Sequence, residues 1–449
     1  MAARLIDSLG TTGPLDDLFS DESILQAMLD FEVALARAEA RLLIVPKTAA
    51  DAIQAAAKAG DFDVAALAHE ALRAGTPGIP LVKALAARVR ATNHDAARFV
   101  HWGPTSQDVT DTALILLLKR SQPLLAADLA RLDAGLERLS NEHAQTAMLG
   151  RTLLQAAPPV TFGLTAAGWL AAIRRGRARL EAAFSEALVL QFGGASGTLA
   201  ALGDRGLDVG RAVADELSLD FPDAPWHTHR DRLAALLAAC GVLTGSLGKM
   251  ARDISLLMQS EVAEAAEPGG DGRGGSSTMP QKRNPIASAV TLAAADRVPG
   301  LVAAFLSGMV QEHERSVGGW QAEWPVVAGV IQATGLAAAS MAEAAEGLEV
   351  DTSRMRQNIE ATRGAAFAER AAVLLAPKLG REDAQDVVKQ AVQRAEKQGR
   401  RLYEVLAEMP EVGKMLDREA LRDLENPEGY LGVANGLRKR LLEPPGKKS

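Results

Sequence analysis

One short segment of the chain carries a dense set of side chains that can perform acid–base chemistry. They lie between a run of glycines and a proline: Ser276, Ser277, Lys282, Arg283 and Asn284. A serine hydroxyl can transfer a proton when nearby cations and N–H groups stabilise its conjugate base. Lysine and asparagine can also hold a carboxylate or a developing enolate. The residue types therefore indicate proton transfer beside a carboxylate.

The glycines before this segment describe its backbone. Five of them fall within seven residues: Gly269, Gly270, Gly272, Gly274 and Gly275. Such a run cannot form a stable helix or strand, so it predicts a hinge or a close approach to a ligand. Composition alone leaves open a surface loop whose charges are merely solvated. A phosphate-binding loop is disfavoured because the order G-x-x-x-x-G-K-[ST] is absent.

A second polar segment, HWGPTSQD at residues 101–108, comes just before an apolar run. We expect it to form a turn at the entry to a long helix. For His101, a substrate contact and a structural hydrogen bond are both open, and for the other histidines we favour structural roles. Because no pair of histidines has the spacing of metal ligands and H-E-x-x-H is absent, we predict no metal site.

The rest of the sequence predicts an all-α scaffold that positions these segments. Hydrophobic residues make up 48% of the 449 residues and aromatic residues only 4%, and the abundant Ala and Leu suit closely packed helices. The first helix follows Ser20, which can cap it, and its apolar positions step by three and four. Those positions are Ile24, Met28, Phe31, Leu35, Ala38 and Leu42.

Five further stretches have the length and period of long bundle helices. They cover residues 111–147 (interrupted near Pro123), 159–190, 233–261, 286–317 (kinked at Pro299) and 325–346, which Gly347 ends. Glycines inside the third stretch, at 241, 245 and 248, predict the close approach of a neighbouring helix. Helices this long present much apolar surface, so we expect contacts with other subunits.

Shorter helices, broken by proline and glycine, precede and follow the long ones. The sequence therefore predicts three helical domains: an N-terminal domain at 1–110, a long central bundle at 111–360 and a small C-terminal domain at 361–449. No internal repeat is evident in the sequence.

Charge and cysteine content exclude several classes of protein. The net charge of −7 provides no basic field for nucleic acid, so an anionic substrate needs a local cluster of Arg and Lys. The single cysteine, Cys240, rules out an internal disulfide and is expected to be buried. No signal peptide and no uninterrupted apolar run of about 18 residues is evident, so we predict no membrane span and a cytoplasmic protein.

Several segments resemble those of a known superfamily. Residues 274–285, GGSSTMPQKRNP, resemble the signature loop GSSxMPxKxNP of the fumarase/aspartase superfamily, and residues 101–108 resemble its H-x-G-x-T-S-x-D segment. Residues 150–155, GRTLLQ, are similar to its G-R-T-H-x-Q segment. Other runs resemble the bacterial 3-carboxy-cis,cis-muconate cycloisomerases: 31–39, 79–85, 190–197, 225–228, 252–259 and 311–316. The resemblance covers roughly residues 10–435.

This resemblance implies both a fold and a reaction. The fold has three helical domains, and four central bundles form a twenty-helix core in a homotetramer whose active sites combine residues of three subunits. The reaction is that of an isomerase, an intramolecular lyase that converts 3-carboxy-cis,cis-muconate to 4-carboxymuconolactone in the β-ketoadipate pathway of aromatic breakdown. No cofactor is implied, and the partner is a small tricarboxylate rather than nucleic acid or a membrane.

Site residues follow from the matched motif positions. The resemblance implies that Ser276 transfers the proton, and that Lys282 and His101 act beside it. Further residues are implied in holding the substrate carboxylates: Thr105, Ser106, Arg151, Gln155, Ser277, Asn284 and Arg315.

One departure from the superfamily pattern bears on the reaction. Leu153 stands where fumarase-like enzymes have a histidine, and Ala156 stands where muconate cycloisomerases often have one. In lactonisation the substrate carboxylate is itself the nucleophile, so no water has to be activated. The departure favours a cycloisomerase over an adenylosuccinate-type lyase. It leaves open a related muconate, such as a sulfonated one, and a non-catalytic scaffold is disfavoured by the intact loop.

Overall fold

Helices form nearly all of the regular structure in the computed structural model, which describes residues 5–270, 274–275, 279 and 282–443. The described part of the chain contains eighteen α-helices and four short strands, which confirms the all-α prediction. Two compact units are present. The first contains Met1–Leu129, Arg175–Gly248 and Val290–Ala339, and the second contains Ala130–Arg174, Lys249–Ala289 and Ser340–Ser449. The predicted domain boundaries at 110 and 360 stay predictions.

Five helices form the N-terminal part of the first unit. They are α1 Gly13–Leu18, α2 Asp21–Arg41, α3 Lys47–Ala56, α4 Val64–Ala74 and α5 Gly78–Thr92. The Ser20 side chain accepts a hydrogen bond from the backbone N–H of Ser23, so the predicted cap of α2 is confirmed. Four of the six predicted apolar positions of α2 are buried, and Ile24 and Leu42 are half-buried. The spacing rule thus gave the buried face of this helix correctly.

Six helices follow in the middle of the chain. They are α6 Ser106–Glu142, α7 Phe162–Ala187, α8 Gly206–Leu217, α9 Asp231–Leu257, α10 Ile286–Ser307 and α11 Gly319–Gly347. The predicted interruption near Pro123 is wrong, because α6 continues through this proline. One missing N–H costs a single ladder hydrogen bond, whereas Leu125, Leu129 and Leu132 on the next turns are buried and hold the helix together.

The ends of the long helices differ from the prediction by several residues, most of all in α10 and α11. Helix α10 ends at Ser307, ten residues early, and α11 begins at Gly319, six residues early. Residues 308–318 between them form an irregular segment that carries Arg315. Gly347 ends α11 as predicted.

Residues 147–161 form a β-hairpin, although no strand was predicted there. Strand β1 Ala147–Thr152 pairs antiparallel with β2 Gln155–Thr161, and Thr152 lies opposite Gln155. The two residues at the tip, Leu153 and Leu154, have φ values of 49° and 64°. Positive φ at both central positions is typical of a tight hairpin turn. A second pair joins β3 Ala265–Ala266 to β4 Glu349–Val350.

The C-terminal part consists of shorter helices, as predicted. They are α12 Thr352–Ala361, α13 Ala368–Leu379, α14 Arg381–Gln398, α15 Leu402–Ala407, α16 Pro410–Gly413, α17 Arg418–Asp423 and α18 Ala434–Leu442. Their apolar faces share one core, which includes Phe367, Leu375 and Val405 and reaches Leu149 on β1.

Packing inside the long helices follows the prediction in part. A side chain at Gly248 would approach Cβ of Ala295 to 2.6 Å, so this glycine permits close helix packing, whereas Gly245 faces open space. Cys240 is buried as predicted, and burial raises the pKa of its thiol to about 12.

Three helices, α9, α10 and α11, are long and apolar enough to cross a membrane by length and composition alone. This corrects the sequence argument, which considered only uninterrupted apolar runs. Other parts of the protein bury 56% of the most apolar stretch of α9 and 67% of the corresponding stretch of α11, but only 22% of that of α10. Helix α10 therefore presents an apolar surface that this chain leaves uncovered.

Candidate active site

The predicted carboxylate-binding turn lies at the start of α6. Ser106 is the first residue of the helix, and Thr105 precedes it; both are half-buried. The backbone N–H of Thr105 donates to Oδ2 of Asp108 at 2.9 Å. The beginning of a helix presents unpaired N–H groups and the positive end of the helix dipole, so the turn suits an anionic group.

Asp108 holds this turn against two other segments of the first unit. Its buried carboxylate accepts hydrogen bonds from the backbone N–H groups of Gly193 (3.0 Å) and Gly194 (2.9 Å) and pairs with Nε2 of His227 (2.6 Å). Together with Thr105, four donors converge on one carboxylate. Gly194 has a φ of 68°, and a side chain at Gly193 would approach Cε1 of His227 to 2.6 Å. Only glycine fits this close approach.

Arg315 lies against the same glycine segment. Its Nη2 donates to the backbone oxygens of Gly194 (2.5 Å) and Ala195 (3.2 Å), and its Nη1 donates to Oε1 of Gln107 at 3.4 Å. The guanidinium is half-buried and makes no hydrogen bond to a carboxylate within the described residues. Backbone oxygens orient the guanidinium, and the charges of Asp108 and Asp111 act on it without a direct hydrogen bond. A planar, oriented guanidinium has the geometry that suits a carboxylate ligand.

A buried ion cluster lies beside the start of α6 and stabilises the polar turn. Arg230 donates to Asp111 at 2.8 and 3.0 Å and to Glu323 at 2.7 Å, and all three side chains are almost fully buried. The indole N–H of Trp320 also donates to Asp111. Buried charges must be paired in this way to avoid a large desolvation cost. The cluster fixes the start of α6 to the starts of α9 and α11.

His101 lies on the polar turn with a positive φ of 59°. Its Nδ1 pairs with Oε1 of Glu32 on α2 at 2.6 Å. Burial lowers the pKa of His101, but the charge of Glu32 and the hydrogen bond to it more than offset this effect, so the pKa is raised above 6.5. The histidine therefore makes a structural hydrogen bond through one ring nitrogen, and a substrate contact through the other stays a prediction.

In the second unit, Arg151 and Gln155 flank the tip of the β-hairpin. Arg151 donates to both oxygens of Glu264, at 2.7 and 2.9 Å, and Asn358 donates to the same carboxylate. Glu264 is fully buried, so Arg151 neutralises it as a matched ion pair. Gln155 is exposed. A substrate contact of either residue stays a prediction.

The glycine-flanked loop also belongs to the second unit. Ser276 and Ser277 lie outside the described residues. Lys282 is exposed and Asn284 is half-buried, and the backbone N–H of Asn284 donates to the oxygen of Gly274 at 2.9 Å. This bond brings the two ends of the predicted proton-transfer segment together.

Two carboxylates anchor the loop where it leads into α10. Glu267 accepts from the N–H groups of Ala287 and Ser288, both at 2.8 Å, and so caps the helix. Arg283 donates to both oxygens of Glu349, at 2.7 and 2.9 Å, and to the backbone oxygen of Glu267. Arg283 is therefore a structural anchor, and Lys282 is the cation beside it.

The sequence identified the residues of the local motifs but missed their supports. Asp108 closes the HWGPTSQD segment, and its partner His227 lies in the PWHT run, so a pairing between two matched segments was the available signal. The predicted structural role of His227 is confirmed, because the buried ring pairs with Asp108. Glu32 on α2 and Glu264 just before β3 were missed, because nothing local in the sequence shows that either acid is buried and paired.

Comparison with known proteins places this geometry in a family. A lyase family model matches residues 9–300, and a model of the adenylosuccinate lyase C-terminus matches residues 364–441. A 3-carboxy-cis,cis-muconate cycloisomerase of Bradyrhizobium diazoefficiens is 50% identical over 423 residues, covering 94% of each chain. A nitrosuccinate lyase of Streptomyces davaonensis is 41% identical over 442 residues, 97% of this chain and 93% of the relative.

A solved structure agrees with these matches. The crystal structure of a 3-carboxy-cis,cis-muconate lactonizing enzyme from Pseudomonas putida superposes with a TM-score of 0.93 at 45% identity and covers 98% of both chains. The signature loop, the HWGPTSQD turn and the helical fold are thus accounted for together. The chain belongs to the lyase family of the fumarase/aspartase superfamily, and it resembles the bacterial 3-carboxy-cis,cis-muconate cycloisomerases over nearly its whole length.

Proposed function

We propose that the chain is a cofactor-independent isomerase that closes 3-carboxy-cis,cis-muconate to 4-carboxymuconolactone, as in the protocatechuate branch of aromatic breakdown. The observation that carries the proposal is the 50% identity with a cycloisomerase across 94% of both chains. The signature loop and the HWGPTSQD turn supply the residue types that the reaction needs.

The reaction rearranges bonds within one molecule. A carboxylate oxygen of the substrate adds to a carbon–carbon double bond and forms the C–O bond of the lactone. The electron pair moves to the carbon next to another carboxylate, giving a dianionic aci-carboxylate, and a proton then forms the new C–H bond. The group that donates this proton is reprotonated by solvent, so each turnover takes up one proton in total. The difficult species is the aci-carboxylate, which cations and hydrogen-bond donors stabilise.

The site residues divide this work by chemistry. Ser276 delivers the proton, with Ser277 beside it, while Lys282 and Asn284 hold the carboxylate that gains charge. Further groups hold the remaining carboxylates: Thr105, Ser106, His101, Arg151, Gln155 and Arg315. The half-buried fork of Arg315, held by backbone oxygens rather than by an acid, supports its assignment to a carboxylate.

Leu153 and Ala156 favour lactonisation over hydration or amine elimination. Leu153 lies at the hairpin tip and is 97% exposed within this chain, and Ala156 is exposed on β2. Neither side chain can carry a proton. A lactonising enzyme tolerates this because its nucleophile is already an anion.

A lyase acting on a succinyl adduct is the second candidate. The match of residues 364–441 to the adenylosuccinate lyase C-terminus and the 41% identity with a nitrosuccinate lyase favour including it. A sulfonated muconate is the remaining rival substrate within the cycloisomerase reaction.

A substrate panel separates these candidates. The purified protein is mixed in turn with 3-carboxymuconate, a sulfonated muconate, adenylosuccinate and nitrosuccinate, and the ultraviolet absorbance of each is followed. We expect loss of the diene absorbance of 3-carboxymuconate with the highest kcat/KM. Turnover of a succinyl adduct without turnover of 3-carboxymuconate would reject the proposal.

We also propose a cytoplasmic homotetramer with a twenty-helix core and active sites shared between subunits. Exposed positions on α9 recur every three or four residues and are small or apolar until the last: Ala235, Ala238, Val242, Gly245 and Lys249. Helix α10 also exposes small or apolar residues, with Asp296 and Arg297 exposed between them: Ala289, Ala293, Pro299, Gly300, Ala303, Ala304 and Leu306. Exposed apolar surface of this extent favours an interface.

Other subunits or lipid could cover this surface, and the two differ in a simple measurement. Light scattering on the purified protein without detergent is expected to give four times the chain mass of 47.2 kDa. A protein found in the membrane fraction, or a monomer in solution, would reject the assembly.

A further inference from the structure

Two carboxylates lie buried on the same helix, close to the candidate site. Glu32 and Glu39 belong to α2 and are 1% and 0% exposed. A spacing of seven residues is two helical turns, so both project from one face of the helix. Buried carboxylates are costly unless they are paired or neutral. Both lie in the run 31–39, but the sequence assigned neither of them a role in the site.

The two carboxylates differ in their partners. Oε1 of Glu32 pairs with Nδ1 of His101 at 2.6 Å. Both oxygens of Glu39 are buried and lack a hydrogen-bond partner within the described residues. Burial first, and the charge of Glu32 second, raise the pKa of Glu39 to about 9. At neutral pH Glu39 is therefore an uncharged acid, whereas Glu32 lies against the ring of His101.

His101 connects this buried pair to the substrate-binding turn. It lies four residues before Thr105, and its ring is only 17% exposed. Its backbone has a positive φ, which a residue with a Cβ adopts at a cost, so packing and the bond to Glu32 must hold it there. Because Nδ1 faces Glu32, the ring is fixed and Nε2 is the nitrogen left for a ligand.

We propose that Glu32 is a positioning residue that keeps His101 as an imidazolium, with its Nε2–H directed at a substrate carboxylate beside Thr105 and Ser106. Glu39 takes no part in binding and stays neutral behind the pair. The identification of the ligand as a carboxylate rests on the proposed function. The positioning of His101 by Glu32 does not.

The surrounding charges agree with a cationic His101. Glu32 and Asp108 both favour the protonated ring, whereas burial opposes it, and the net result is a raised pKa. Glu39 faces the same side of α2 and adds no charge near neutral pH. A tricarboxylate substrate gains one more cation from this arrangement, in addition to Lys282 and Arg315.

Two isosteric substitutions test the proposal. Glu32→Gln keeps a hydrogen-bond acceptor for Nδ1 but removes the charge, and Glu39→Gln imitates the neutral acid. The seven histidines are labelled with ¹³C at Cε1, and the His101 signal is assigned by its loss in His101→Asn. Asparagine is chosen because it tolerates positive φ. The titration midpoint of His101 is then measured by NMR in each variant.

We expect Glu32→Gln to lower the His101 midpoint and Glu39→Gln to leave it unchanged. An unchanged midpoint in Glu32→Gln, or an equal fall in both variants, overturns the proposal. This measurement requires no turnover, so it stands even if the wild-type protein fails to convert 3-carboxymuconate. If the wild-type protein does not convert 3-carboxymuconate, the proposed function is rejected instead.

Kinetics provide the second measurement. Removal of a charged hydrogen bond to substrate should raise KM for 3-carboxymuconate about tenfold in Glu32→Gln and in His101→Asn, with a smaller effect on kcat. The double variant should be no worse than His101→Asn alone, because Glu32 acts only through His101. Additive effects of the two substitutions would contradict the positioning role. An unchanged KM in His101→Asn would also contradict it, and this single variant still tests the proposal if Glu32→Gln does not fold.

Discussion

The buried carboxyl of Glu39 predicts an unusual dependence of stability on pH. In the folded chain its pKa is raised from 4.5 to about 9, by burial first and by Glu32 second. The unfolded chain releases this proton near pH 4.5, whereas the folded chain keeps it until about pH 9. Between these values folding must take up a proton, so the free energy of unfolding falls as the pH rises. The contribution is fully present below pH 4.5 and is lost towards pH 9.

The size of the effect follows from linkage. One bound proton changes the free energy of unfolding by about 1.4 kcal/mol per pH unit, so Glu39 removes about 4 kcal/mol between pH 5.5 and 8.5. Glu39→Gln cannot ionise and therefore lacks this slope. The test compares urea unfolding of the two proteins at both pH values. We expect the stability of the wild type, relative to the variant, to fall by roughly this amount as the pH rises.

A matched control lies on the same helix. Glu22 is exposed near the start of α2, and Glu22→Gln should follow the pH dependence of the wild type. If Glu39→Gln also runs parallel to the wild type between pH 5.5 and 8.5, then Glu39 is ionised in the folded protein and the reasoning fails.

Three further substitutions test other parts of the structure. Ser276→Ala should abolish turnover of 3-carboxymuconate and leave the oligomer mass unchanged, because it removes only the proton donor; an active variant would refute the assigned role. Asp108→Asn should lower the free energy of unfolding by about 3 kcal/mol, since four donors converge on this buried carboxylate. The exposed Asp204→Asn should stay within about 0.5 kcal/mol of the wild type. Val242→Glu should reduce the mass seen by light scattering, whereas Leu72→Glu, which replaces another exposed apolar residue, should not.

A specific result would contradict each of the last two predictions. Equal stability of Asp108→Asn and Asp204→Asn would mean that the turn before α6 does not depend on this carboxylate. An unchanged mass in Val242→Glu would place the subunit interface elsewhere than on the exposed stripe of α9.

Local periodicity was enough to predict most helices. The cap at Ser20 and the stripe through Phe31 and Leu35 depend on residues three or four apart, so the sequence displays them directly. The hairpin at 147–161 was missed because its buried and exposed positions do not alternate clearly. The course of α6 through Pro123 was missed because long-range packing outweighs the local penalty.

The candidate site shows the same division. Thr105, Ser106 and Arg315 became candidates because each belongs to a matched segment, and their contact with substrate stays a prediction. The pairing of Asp108 with His227 joins residues far apart in the sequence, and a single sequence gives no measure of such distances. The role of Glu32 was missed although it lies in the matched run 31–39, because its partner His101 is 69 residues away in the sequence.

Product formation in D₂O tests the central claim most directly. The protein is incubated with 3-carboxy-cis,cis-muconate in D₂O, and the reaction is followed by ¹H NMR. The account predicts 4-carboxymuconolactone with one deuterium at the carbon next to a carboxylate, and no product with Ser276→Ala. Unchanged 3-carboxymuconate, with cleavage of adenylosuccinate or nitrosuccinate under the same conditions, would contradict it.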